Sequence, residues 1–328
     1  MKRSIAAVLL VVALGAAVAL PAAAQDMIGT EITSITTVSL AGEATTVADA
    51  PGNSSFEGSS FTITFLGLTE MITAIEAGGM TIPVESAIPA TVVPRRNPAD
   101  DTRQVGWYQG SVNPNDNTIT IAATGPHTAE ELLNTNSVIR GLDNVFQNEG
   151  ATVGDTAFQG NQAIERIDFL LEAPVMAGDD IAFAVFEKGP AGANHDAFGI
   201  AAITAVDDAG NPAAFGPLYQ IPAGWGQPIL AQYPPYMVLS NGDDGSGGTP
   251  TSLTLQASAQ TMGGILFRTS ELVEAGTEVY GYALVGPDVT CSPEELIDVL
   301  AACYPATTGN EGGLDLVSAN LGALMLGG

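Results

Sequence analysis

Lysine occurs only twice in these 328 residues, at Lys2 and Lys188, and histidine only twice, at His127 and His195. Lysine-based catalysis and phosphate binding are thereby nearly excluded, and so is a series of Lys–Asn isopeptide cross-links. Positive charge is scarce: nine basic residues stand against 36 acids, and the formal net charge is −27. A surface of that sign repels nucleic acid and anionic lipid and attracts cations. Catalytic signatures are missing as well. The chain has no P-loop, no Rossmann glycine fingerprint, no HExxH, no G-x-S-x-G elbow and no EF-hand spacing. No repeat of 20–50 residues is present, which argues against solenoids and propellers.

What the chain does have begins with an export device. Lys2 and Arg3 precede an apolar run from Ile5 to Leu20, and Ala22, Ala23 and Ala24 form an A-x-A cleavage site before Gln25. The run falls short of the ~20 residues a membrane span needs. The reading is therefore a signal peptide over residues 1–24, a secreted or extracellular location and a mature chain from residue 25, with no transmembrane segment after cleavage. Cleavage removes Lys2 and Arg3, leaving seven basic residues of the nine and a formal charge of −29. The C-terminus carries a short apolar end and no sorting motif, so surface attachment is expected to be non-covalent.

The centre of the sequence is β-like. Ile167, Phe169 and Leu171 alternate with Arg166, Asp168 and Glu172, the period of a half-buried strand. Asp180 to Glu187 is apolar on both faces, as a covered strand is, and Phe198 to Val206 follows. These three strands are expected to form a meander. Hairpin strands around NPND (residues 113–116) and further strands at Thr251–Ser258, Gly264–Thr269 and Thr277–Val285 complete the pattern. The fold class expected is all-β: one large antiparallel, jelly-roll-like β-sandwich over residues 25–328, with one or two short surface helices. Thr128 with Glu131 forms a capping box that predicts a short helix over residues 129–134. Residues 71–76 fit helix or strand equally. Residues 241–250 (NGDDGSGGTP) read as a Gly/Asp-rich loop. Arg95, Arg96 and Arg103 read as a solvated loop paired with nearby acids.

Candidate sites are few. Under a meander, Asp179 and Asp180 share one end of the sheet with Asp207 and Asp208, and four carboxylates there would suit Ca²⁺, the candidate cofactor. The plainer reading is four solvated turn acids. Tyr219, Trp225, Tyr233 and Tyr236 lie in one Pro/Gly-rich stretch and could stack on a ligand, or instead plug one end of the sandwich. No catalytic residue is assigned, since His195 beside Asp196 lacks a nucleophile.

Cys291 and Cys303 are candidates for a disulfide, as expected of an exported chain. Ser292, Pro293 and Glu295 predict a helix start between them. A helix filling the interval would separate the two Cα atoms by about 16–18 Å, against the ~7 Å limit for a disulfide. Either the helix is short and the chain doubles back, or each cysteine pairs between molecules. A metal site is a weaker third option.

Several strings carry a resemblance. Arg166-Ile167-Asp168-Phe169, Phe186-Glu187-Lys188-Gly189, His195-Asp196 with Phe198–Ile203, and Gly210-Asn211-Pro212 resemble the core of functionally uncharacterised bacterial secreted, surface-associated β-rich proteins. Tyr280-Gly281-Tyr282, Gly286–Val289 and Gly312–Leu316 resemble their closing strands. The resemblance covers about half of the chain and implies an exported surface protein without catalytic residues. The cysteine pair and the lack of a C-terminal anchor depart from the anchored members. The function expected is a structural or adhesive component of the cell surface or extracellular matrix, self-associating or binding other surface components. The alternative is a Ca²⁺-dependent carbohydrate-binding module, with a hydrolase third.

Overall fold

The computed structural model describes residues 28–51, 60–97, 105–113, 115–125, 127–147, 161, 163–190, 195–233, 236–240, 252–256, 260–309 and 312–327. The expected signal peptide, Arg103 and the loop 241–250 lie outside them. The first strands are β1 Thr30–Ala41, β2 Thr45–Pro51, β3 Ser60–Phe65, β4 Leu68–Ala77, β5 Met80–Pro83, β6 Ala90–Arg96 and β7 Val105–Asn113. Next come β8 Thr118–Ile121, helix α1 Ala129–Leu133, β9 Asn136–Leu142, β10 Ile164–Met176, β11 Ile181–Pro190 and β12 Phe198–Val206. Then follow β13 Pro212–Phe215, β14 Tyr219–Ile221, β15 Leu230–Tyr233, β16 Tyr236–Ser240 and β17 Ser252–Gln256. The chain closes with β18 Gln260–Arg268, helix α2 Thr269–Leu272, β19 Glu278–Val285, β20 Val317–Ala319 and β21 Leu324–Met325. An all-β sandwich forms, with two short α-helices among the described residues.

Among the described residues the strands make two sheets. The larger has fifteen strands with the main order β2-β3-β8-β7-β9-β4-β1-β18-β11-β21, and the smaller has six with the order β13-β12-β19-β10-β6. Only the β3–β8 pairing departs from the antiparallel expectation, running parallel. The hairpin at residues 113–118 forms as expected, with Asn117 at a φ of 51°. The ambiguous stretch 71–76 is strand, within β4.

The central meander does not form. β11 crosses to the larger sheet and pairs with β18 from Ala182↔Arg268 to Pro190↔Gln260. Its place between β10 and β12 is taken by β19. The physical reason is already in the strand: apolar on both faces, β11 needs cover on both. Phe183 meets Tyr282 of the smaller sheet with ring centroids 4.6 Å apart, while Phe186, on the opposite face, lies over Gly264 of β18. Pairing partners so distant in sequence leave no local periodic signal.

A short C-terminal segment ties the larger sheet into a ring. The Lys188 amide donates to the Asp315 carbonyl at 3.0 Å, Glu187 bridges Leu316, and β20 pairs with β9. Pairing thus runs β9–β4–β1–β18–β11 and returns to β9 through residues 315–319. Gly141 on β9 permits the closure, because a Cβ there would meet the Leu316 carbonyl oxygen at 2.0 Å.

The smaller sheet has apolar cover on both faces. One face joins the main core through Ile167, Phe169 and Tyr282, and Phe169 stacks on Tyr282 at 4.3 Å. The other forms a second core of Ala201, Ile203, Phe215, Ala283 and Val285 beneath Val289, Leu296 and Tyr304. From Ile164 to Phe169, β10 is therefore buried on both faces rather than half-buried, because residues 289–304 lie over its polar face, while Glu172 to Pro174 and Met176 stay exposed. The chain doubles back there: Cys291 and Cys303 form a disulfide with Cα atoms 4.9 Å apart. The helix expected after Ser292 shrinks to one 3₁₀ turn, Glu295–Ile297, although Ser292 and Glu295 exchange capping hydrogen bonds.

Candidate functional site

The four loop aspartates do not converge. β10 and β12 both pair antiparallel with β19, so the turns after them do lie at one end of the smaller sheet, but a strand separates them. Asp207 spends its carboxylate on its own turn, accepting from the amides of Ala209 and Asn211 at 2.9 and 2.8 Å. Those bonds, led by Asn211, hold its pKa below the usual carboxylate value. Asp179 accepts from the Ser270 hydroxyl. Among the described residues no group of three or more His, Cys, Asp or Glu could hold a metal ion.

The aromatic stretch divides. Trp225 is 1% exposed and serves the core: its indole N–H donates to the Asp196 carbonyl at 2.6 Å, and its ring meets Phe198 and His195. Tyr219 is half-buried on β14. Tyr233 and Tyr236 lie on β15 and β16, and their side chains are outside the description. The stacking platform is thus reduced to Tyr219 among the described side chains.

His195 is fully buried. Its ring lies on the backbone of Gly263, where a Cβ would come within 2.2 Å. Nδ1 donates to the Trp225 carbonyl at 2.6 Å, and burial lowers its pKa. Nearby Glu187 is fully buried and accepts from the Asp196 amide at 2.8 Å. Burial, then the Asp196 charge, pushes the Glu187 carboxyl well above its ordinary value. This group fixes residues 195–197 ahead of β12.

Two further groups of buried charge escaped the sequence reading. The first overturns the solvated-loop assignment for Arg95 and Arg96, which sit on β6. Arg95 donates to Asp168 Oδ2 at 2.6 Å, and Arg96 pairs with Glu130 at 2.8 Å. Asp168, fully buried on β10, also accepts from Arg166 Nε at 2.6 Å on its other oxygen. Arg166 lies over the Phe215 ring at 4.9 Å and donates to the Leu296 carbonyl. Burial alone would lower Arg166, but Asp168 overrides it and raises the guanidinium.

The second group surrounds Lys188, the one lysine besides Lys2. On β11 it faces away from Glu187, as successive strand residues do. Its side chain is fully buried, with Nζ 3.4 Å from Asp315 Oδ2 and 4.8 Å from the centroid of the Trp107 ring. Asp143, just past β9, is also buried, and its carboxyl hydrogen-bonds that of Asp315. Asn144 holds the pair in place: its amide donates to Asp315 Oδ1 and its side-chain nitrogen to Asp143 Oδ2, both at 3.0 Å. Asn144 reaches this position at a φ of 46°, which Asn tolerates better than most residues. Burial, followed by the Asp315 charge, drives Asp143 well above the ordinary aspartate value. Burial lowers Lys188, against the pull of Asp315. The one available sequence signal was a lone lysine inside an apolar strand of a strongly acidic chain.

A third polar site is half-open. His127 Nε2 contacts Thr124 Oγ1 at 2.7 Å and also Arg140, and burial followed by Arg140 lowers the ring to about 4. The expected capping box of Thr128 and Glu131 is present at the start of α1.

Compared with protein-family models, curated proteins and solved structures, the chain matches none. No helix among the described residues is long and apolar enough to cross a membrane.

Proposed function

We propose that this is a non-enzymatic, exported structural or adhesive protein of the cell surface or matrix that self-associates through a sheet edge. The observation that carries this reading is the outer half of β1. It pairs with β18 only at Thr30 and Glu31 and with β4 from Ile32 to Ala41. Along residues 32–41 its other edge meets no strand among the described residues. Val38 and Leu40 there are 43% and 50% exposed. A long edge with apolar side chains is a template for another strand.

The edge of β6 is treated differently. Asn134 donates to the Val92 carbonyl and accepts from its amide, and Asn320 donates to the Ala90 carbonyl. Two side-chain amides thus occupy positions a foreign strand would use. Export rests on residues 1–24, and the resemblance to surface proteins agrees with it. The carbohydrate-binding alternative has less behind it, with the acidic turns apart and Trp225 internal.

The test is sedimentation velocity on the mature chain over a range of concentration, repeated with Val38→Lys/Leu40→Lys and with added Ca²⁺ or EDTA. Association that the double variant abolishes is expected, without response to EDTA. A chain that stays monomeric throughout overturns the reading.

A further inference from the structure

The group around Lys188 carries an inference that stands apart from the proposed function. An amine, a carboxyl and a second carboxyl meet in one enclosed place, contributed by β11, the closing segment and the end of β9. Lys188 Nζ approaches Asp315 Oδ2 to 3.4 Å, and the face of Trp107 screens the amine. On the far side of the Asp315 carboxyl, the Asn144 amide donates to Oδ1 at 3.0 Å. Asp143 hydrogen-bonds Asp315 and is oriented by the Asn144 side chain. An electrophilic carbon is thus flanked by a nucleophile, an N–H positioned where negative charge would develop, and an acid able to relay protons.

We propose that Lys188 and Asp315 become joined by a side-chain amide, an isopeptide bond that the folded protein forms in itself with Asp143 as proton relay. Charge bookkeeping favours it. One ammonium with two carboxylates leaves an unbalanced negative charge in a buried place, so one carboxyl holds a proton; burial assigns that proton to Asp143. Transfer of a proton from Lys188 to Asp315 Oδ2 across their 3.4 Å contact then frees the lone pair of the amine.

The lone pair of Nζ attacks Cγ of Asp315, and Oδ1 takes up the developing charge against the Asn144 N–H. Asp143 gives its proton to the departing Oδ2 hydroxyl and takes one from nitrogen on its other oxygen. The Cγ–Oδ2 bond breaks, one water leaves, and Asp143 ends as the acid it began. Atoms and charges balance without an oxidant or co-reactant. The product is a covalent loop closed across 127 positions of sequence, fixing the ring-closing segment to β11.

The experiment is intact mass spectrometry of the folded mature chain after reduction of the disulfide, followed by proteolysis and fragment sequencing. The expected mass is that of the sequence less one water, with a branched peptide joining the Lys188 and Asp315 segments. Lys188→Met and Asp143→Asn should both restore the full mass, and the wild type should migrate faster than Lys188→Met on a denaturing reducing gel. Folding of each variant is checked by circular dichroism. A folded wild type of full mass overturns the proposal, as does a missing water located at another residue. If folded Asp143→Asn still forms the bond, the role of Asp143 is overturned.

Discussion

Two groups of buried charge, built from similar residues, are balanced in opposite ways. In the smaller sheet two arginines share one aspartate, Asp168, both of whose oxygens are occupied. In the ring of the larger sheet one lysine faces two carboxyls, Asp143 and Asp315. Arginine cannot give up its proton inside a protein, whereas lysine and aspartate can. The two arginines of the first group therefore keep their charges, whereas burial drives both Lys188 and Asp143 of the second toward their neutral forms. The difference separates an architectural pair from a reactive one.

The sharpest way to break this comparison is Asp168→Ala, which leaves Arg166 charged, buried and without its carboxylate. A loss of about 3–5 kcal/mol is expected by urea unfolding, and it should not vary between pH 5 and pH 8. Lys188→Met should cost about 3 kcal/mol at pH 8, and its deficit should narrow as pH falls because the abandoned carboxyls can protonate. Equal pH dependence in the two variants would refute the distinction.

Cys291→Ala/Cys303→Ala loosens the loop that covers Arg166 and should cost about 2–3 kcal/mol. Smaller again is the effect at Glu165, whose carboxyl is pushed up to about 7 by burial and then by Asp288. A group raised in the folded state holds its proton more tightly there, so stability is lost as pH rises from about 4.5 through 7. Glu165→Gln should remove that slope and gain roughly 1–2 kcal/mol at pH 8, measured by thermal unfolding. Val38→Lys, on the open edge, should change stability by less than about 0.5 kcal/mol.

Much of the fold was legible in the sequence, for identifiable reasons. The strand expected from Asp180 to Glu187 was readable from its two apolar faces, the hairpin from NPND, and α1 from Thr128 and Glu131, because each is a local signal. Pairing was not local. β19 slips between β10 and β12 from far along the chain, and no periodicity in β10 announces that. Residues 289–304 hid the polar face of β10 for the same reason, turning Arg166 and Asp168 from expected surface residues into buried ones. The acidic turns misled because β19 separates them, with Asp207 turned onto the amides of its own turn and Asp179 onto the Ser270 hydroxyl. Lys188 was noticed as a scarcity but not as a site, since Asp143 and Asp315 reach it only through the tertiary fold.

The two asparagines on β6 have a geometric consequence. With that edge closed and β1 open, two copies joined β1 to β1 about a twofold axis would use up this edge of each. Such a contact is isologous and ends at a dimer. A continuous fibre would need a second, different surface on each copy, so a protein limited to the β1 edge is a coupler that links two points rather than a cable.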